Sequence, residues 1–305
     1  MSNNNQTTIQ KQRQSVAKPL KRVDVLKSIL NADSVKEQFQ NALGKNANVF
    51  IASIIDLYSS NSGLQNCDPN KIVREALKAA VLQLPINKAL GFSYIVAYNN
   101  SKKDENGNWI KVMEPTFQLG YKGYIQLAMR TGQYKTINAG EVYEGEFRMV
   151  NKLTGEIDFN GTKKSDKVVG YFCYFELLNG FSKSLYMTVE QMATHAKKFS
   201  KGIGRDVSVE QLIEIASLPT QANSSQAGWQ GNFHGMAIKT VIRLLLSKYG
   251  YLSIEMQSAI IDDQEGDSYE IQDGEIQRGQ GVKDFETENV EFQEVSAAPE
   301  VSPGY

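Results

Sequence analysis

Cysteine and histidine are nearly missing from this chain, with two of each in 305 residues. Cys67 and Cys173 stand far apart without CxxC spacing, which excludes a disulfide framework and fits a reducing, cytoplasmic setting. Two histidines and two cysteines cannot build a usual structural zinc site unless carboxylates help. No apolar run approaches the roughly 18–20 residues that span a bilayer, so no membrane partner is expected. The opening MSNNNQTTIQKQRQ has cations but no apolar stretch behind them, so it does not read as a secretory signal. The phosphate-cradling G-x-x-x-x-G-K-[ST] is absent as well, which argues against an ATP-driven machine. Gly202-Ile203-Gly204 lacks the strand and helix context of a dinucleotide site.

Net charge is also nearly absent: 33 Lys plus Arg against 34 Asp plus Glu leave −1. That total hides a segregation. Residues 1–250 carry 31 basic and 20 acidic side chains, a balance of +11, whereas residues 251–305 carry two basic and 14 acidic, a balance of −12. Fields act locally and are screened beyond about 8–10 Å, so a basic body with an acidic tail differs from a neutral protein. The chain divides into a basic N-terminal arm with a first helix (1–35), a core (36–264) and an acidic tail (265–305) with too little to bury to fold.

The core reads as α+β. Helical spacing runs from Val23 to about Leu57. Asp68 and Pro69 then punctuate a helix, KIVREALKAAVLQL, that Pro85 stops. GFSYIVAY and WIKVMEPTFQL form a long hairpin around Asn106-Gly107, followed by a helix with Lys122, Gln126 and Arg130 in step and Gly132 as its stop. VVGYFCYFELL and FSKSLYMT pair across Asn179-Gly180, which predicts a type I′ turn. Thr188 with Gln191 makes a capping box, and further helices occupy about 207–217, 234–250 and 253–261.

Catalysis finds no positive support. Glu141, Glu144 and Glu146 are the densest carboxylates of the body and the basis of a rival reading, a metal-dependent nuclease; the simpler reading is a solvated hairpin edge. His195 reads as an ordinary polar position of its helix and His234 as a residue near a helix start. A third reading is an oligomeric assembly protein without nucleic acid.

What the sequence does hold is cations interleaved with aromatics and glycines. The hairpin and its following helix supply Phe92, Tyr94, Tyr98, Trp109, Lys111, Gln118, Tyr121, Lys122, Tyr124 and Arg130. A basic loop supplies Lys197, Lys198, Phe199, Lys201 and Arg205, and the last long helix Lys239 and Arg243. Single-stranded nucleic acid asks for this mixture. Cations track phosphates, aromatic faces meet bases at roughly 1–3 kcal/mol each, and glycines admit backbone N–H groups to phosphate oxygens. Bland readings compete. Alternating aromatics on a strand are usually core, which places Phe92, Tyr94 and Tyr98 inside, and Tyr121 and Tyr124 share a face with Ile125. Lys239 and Arg243, four apart, suggest a solvated face. The 197–205 loop is the strongest candidate, because four cations around two glycines serve no packing purpose.

Three stretches are more specific. FQLGYKGYIQLAMRTGQYKTINAGEVYEGE (117–146), VVGYFCYFELLNG (168–180), and Trp229 followed by Phe233 and MAIKTVIRLLL (236–246) resemble, in this order, the RecT family of phage single-strand DNA annealing proteins. The upstream ALKAAVLQLPINKALGFSYIVAYNN is similar to the family's segment before its first hairpin, and the resemblance covers roughly residues 40–262. It implies antiparallel hairpins and sheet packed with helices in a Rad52-like annealing core with disordered termini. It further implies ATP-independent annealing of complementary strands through a duplex intermediate, by a homo-oligomeric ring or helical filament in the bacterial host cell. The implied partners are single-stranded DNA, a 5′→3′ exonuclease and a host single-strand DNA-binding protein. No cofactor is implied beyond magnesium as a DNA counterion. The matched positions suited to DNA are Gln118, Tyr121, Lys122, Arg130, Lys239 and Arg243; the 197–205 loop matches in charge and position.

Overall fold

The structure is a computed structural model that describes residues 22–151, 153–200, 202–217, 228–267, 269–272 and 275–278. The N-terminal arm before Arg22, Lys201, and the tail past Arg278 lie outside the described residues, as do the side chains of Asp262, Asp263, Glu265 and Asp267. The described part is mixed helix and antiparallel sheet, the α+β architecture that the element pattern predicts.

Helices come first: α1 (Arg22–Asn31), α2 (Asp33–Leu43), α3 (Ala47–Ser60), the short α4 (Ser62–Gln65) and α5 (Pro69–Val81). They form because each carries one apolar stripe. In α5 it is Ile72, Val73, Ala76, Ala79 and Ala80, all buried, against Leu26, Leu30, Phe39 and Ile54 in the same core. The Asp68 side chain accepts from the Asn70 N–H at 2.9 Å and Pro69 opens the helix, as its punctuation predicts. The helix ends at Val81 rather than at Pro85, and Gln83 follows with φ +51°.

Strands β1 (Ser93–Lys103) and β2 (Trp109–Leu119) pair antiparallel from Ser93 opposite Leu119 to Lys103 opposite Trp109. The buried face of β1 is Ser93 and Ile95; Phe92 is half-buried and packs against the core, whereas Tyr94 and Tyr98 are half-buried outside it. Ser93 is inside because its hydroxyl donates to the Pro85 carbonyl at 2.9 Å. Helix α6 (Tyr121–Arg130) docks directly on this root. A Cβ on Gly120 would lie 2.1 Å from the Gly91 oxygen, and one on Gly123 2.2 Å from that of Phe92, so the LGYKGY glycines permit backbone-to-backbone packing.

A second sheet has the order β3-β6-β7, all antiparallel: β3 (Tyr134–Tyr143), β6 (Val168–Leu177) and β7 (Ser182–Thr188). The connection is not the type I′ turn that Asn179-Gly180 predicts: Gly180 has φ +86° but Asn179 does not share the left-handed region, and the Gly180 N–H instead closes a turn on the Leu177 carbonyl at 3.0 Å. Between β3 and β6 the small strands β4 (Met149–Val150) and β5 (Ile157–Asp158) pair with each other. The remaining elements are α7 (Val189–Phe199), α8 (Val209–Ser217), α9 (Phe233–Tyr249) and α10 (Ile254–Asp267), then the paired β8 (Tyr269–Gln272) and β9 (Glu275–Arg278). Tyr171, Cys173 and Phe175 of β6 are buried and form one core with Ala237, Val241 and Leu245 of α9. Helix α10 runs past Ile261 to Asp267, further than its pattern predicts. Among the described residues no helix is long and apolar enough to cross a membrane.

Candidate functional site

The end of α7 and one stripe of α9 form the walls of one cleft. Helix α7 begins with both bonds of the Thr188–Gln191 capping box and buries Val189, Met192, Ala193 and Ala196. That leaves His195 and Phe199, one turn apart, at the margin of its buried stripe, with ring centroids 4.6 Å apart. On α9, whose Asn232 cap accepts from the Gly235 N–H at 3.1 Å, the matching stripe is Met236, Lys239, Thr240 and Arg243. These residues, with Ala196, Ser200 and Trp229, line a cleft of about 310 Å³ counting its open solvent side. Trp229 is buried and meets Phe233 edge-on at 5.1 Å, so the cleft floor is part of the core.

Cations surround this cleft. Lys239 is only 6% exposed and Arg243 is half-buried, so the pair is not the solvated face that its spacing suggests. Lys198 is exposed, with its ammonium 5.1 Å from the Phe199 ring centre, and Phe199 is itself 51% exposed. Burial, then Arg243 and Lys198, push the His195 imidazole down to about 4, so it is neutral at physiological pH. Its Nε2 is buried without a hydrogen-bond partner. His195 is thus no ordinary polar position. Sequence reasoning missed it because only its tertiary neighbours distinguish it.

The other predicted residues divide. Lys197 donates to the carbonyls of Gly204 and Arg205 at 2.9 and 3.1 Å, closing the basic loop, and Ile203 anchors that loop in the core. Arg205 is exposed on it; Lys201 lies outside the described residues. Gln118 and Tyr121 belong to a second patch with Tyr94 and Tyr98. Gln118 Nε2 donates to the Tyr98 hydroxyl at 2.6 Å, and burial, with the neighbouring Tyr121, pushes the Tyr94 hydroxyl up. The stem of Lys122 crosses Gly91, where a Cβ would lie 3.6 Å from its Cδ. Tyr124 is fully buried, as expected. Lys111 is exposed on the opposite face of the hairpin, in register with Ser101. Arg130 is not brought to the cleft: its guanidinium donates to the carbonyls of Leu82 and Gln83 at 2.7 and 3.0 Å, closing the end of α5.

Each glutamate of the nuclease reading accepts a hydrogen bond. Glu141 accepts from the Tyr143 hydroxyl at 2.7 Å, Glu144 from Ser165 at 2.8 Å, and Glu146 from the Tyr143 N–H at 2.8 Å. Among the described residues no group of three or more His, Cys, Asp or Glu could hold a metal ion. Chemically, the cleft combines fixed cations, an exposed aromatic and a low-dielectric floor. That set can bind a phosphate and rest a ring against a base.

The sequence model of the RecT family matches residues 48–276 of this chain. The uncharacterized protein YqaK of Bacillus subtilis (strain 168) is 43% identical over 241 residues, covering 79% of this chain and 72% of its own. Protein RecT of Escherichia coli (strain K12) is 27% identical over 252 residues, covering 80% and 82%.

Proposed function

We propose, because this chain belongs to the RecT family, that it binds single-stranded DNA and pairs complementary strands in homologous recombination. Family membership supports a recombination and annealing role in general terms. The observation that carries the finer reading is the convergence of Phe199 with Lys239 and Arg243 on one cleft, from segments about 40 residues apart, with Lys198 beside the Phe199 ring. Cations there hold phosphates, and Phe199 meets a base. Gln118, Tyr121 and Lys122 extend the contact along the second patch. The protein reads backbone, and fidelity comes from base pairing between strands. Pairing and stacking release free energy, so no nucleotide is hydrolysed; magnesium enters as a DNA counterion. One protomer neutralises few phosphates and binds weakly. A homo-oligomer, ring or filament, makes its sites contiguous and raises affinity through effective concentration. A 5′→3′ exonuclease supplies the single strand, and a host single-strand DNA-binding protein occupies the other.

The test is a Lys198→Ala, Arg243→Ala double variant with a labelled oligonucleotide at two salt concentrations. Loss of two phosphate contacts lowers affinity tenfold or more at low salt and makes the log–log salt slope shallower by about 1.4. A folded double variant with unchanged affinity and slope overturns the placement. Annealing of complementary oligonucleotides without nucleotide, at constant strand length, separates this reading from the nuclease.

A further inference from the structure

Among the described residues, His195 Nε2 is a buried polar atom left without a hydrogen-bond partner. A buried polar atom without a partner is destabilising, so its retention calls for a reason. It sits where a ligand phosphate is expected. Arg243 approaches from α9 and Lys198 from its own helix, and Lys239 lines the same cleft. The other charged groups on the packed elements look elsewhere. Glu210 and Glu214 of α8 are exposed, Glu176 of β6 pairs with Lys135 at 2.7 Å, and Lys183 of β7 donates to the Thr154 carbonyl at 3.1 Å. The charges that act on this neutral imidazole are those of Arg243 and Lys198.

We propose that His195 is a further phosphate contact of this cleft and takes up a proton when single-stranded DNA binds, an inference that rests on the DNA-binding reading above. An arriving phosphate cancels the repulsion from Arg243 and Lys198 and offers an acceptor at the imidazole. Protonation then makes both ring nitrogens donors, whichever tautomer the free protein holds, and the resulting bond is charge-assisted. Phe199, half exposed and tilted 43° to the imidazole with ring centres 4.6 Å apart, is the neighbour that would rotate to admit the phosphate. The same rotation frees its ring for a base. Uncovering the histidine and engaging the base are one movement.

The linkage has a defined sign. Because the bound state holds more protons than the free state in mildly acidic solution, affinity rises as pH falls. Calorimetry of the full chain with oligothymidylate, whose base does not titrate in this range, measures it in two buffers of different ionisation enthalpy. Between pH 8 and about 5.5 the expected gain in affinity is roughly three- to tenfold, with uptake of about half a proton or more per bound protomer at the acidic end. His195→Gln keeps a nitrogen donor but has no proton to gain; its profile is flat and its binding at low pH weaker. The chain has one other histidine, and His234→Gln keeps the rise. Binding without proton uptake by the unmodified protein overturns the inference, as does an unchanged profile in a folded His195→Gln variant. The calorimetric result decides the matter even if that variant does not fold. Absence of binding at every pH overturns the DNA-binding reading itself, so the two failures are distinguishable.

Discussion

His195 also links folding to pH, with the opposite sign to its effect on binding. Its folded value of about 4 lies below the ordinary 6.5, because burial, Arg243 and Lys198 all oppose the charged form. A group depressed in this way binds more protons in the unfolded state. Its contribution to stability is full above about pH 6.5 and is lost as pH falls toward 4. The imidazole is not fully enclosed, so screening reduces the effect to an order of 1–2 kcal/mol. Urea titrations at pH 7 and near pH 5 should therefore show wild type losing stability that His195→Gln does not lose. Equal losses in both would place the acid sensitivity elsewhere. Bound DNA should protect against the same loss, since it supplies the proton with a partner.

Elements explain which of these features can be read from sequence. Punctuation is local: Asp68-Pro69 and the Thr188–Gln191 box need only their neighbours and both form as written, whereas at Asn179-Gly180 only the glycine takes positive φ and the type I′ turn does not form. Orientation is not local. The alternation in β1 marks two faces without saying which is inside, and the bond from Ser93 to Pro85 turns the tyrosine face outward. Gly120 and Gly123 acquire a reason only when α6 meets the Gly91 and Phe92 carbonyls. The meeting of Phe199 with Lys239 and Arg243 is tertiary in the same sense. Arg130 shows the converse. Its step from Lys122 and Gln126 suggests a DNA-facing row, yet two of its donors satisfy the Leu82 and Gln83 carbonyls just past α5 and so tie α6 to the helical layer. Arg130→Ala should cost about 1–3 kcal/mol in chemical denaturation, from two charge-assisted bonds to carbonyls left unpaired. Arg130→Lys should recover only part, since an ammonium cannot reproduce the planar fork. Full recovery by lysine would show that charge, rather than the two-pronged geometry, holds the junction.

At the scale of the whole molecule, the near-neutral charge is a sum over parts with opposite fields. The body up to residue 250 carries +11, and residues 279–305 hold one lysine against six carboxylates. The family model ends at residue 276, so the most distal acidic stretch lies outside the part it matches. A tethered polyanion acts on a basic cleft at high effective concentration, in direct competition with DNA phosphates. Truncation after Arg278 leaves α10 and the β8–β9 pair in place and moves the net charge from −1 to +4. Electrostatic competition predicts that the truncated protein binds an oligonucleotide several-fold more tightly near 50 mM salt. The advantage should shrink as salt rises, because the Debye length falls from about 10 Å at 0.1 M to 3 Å at 1 M. An advantage that persists at high salt would point instead to a specific contact between tail and cleft. Equal affinity at low salt would remove the tail from DNA binding altogether and leave partner recruitment as its remaining role.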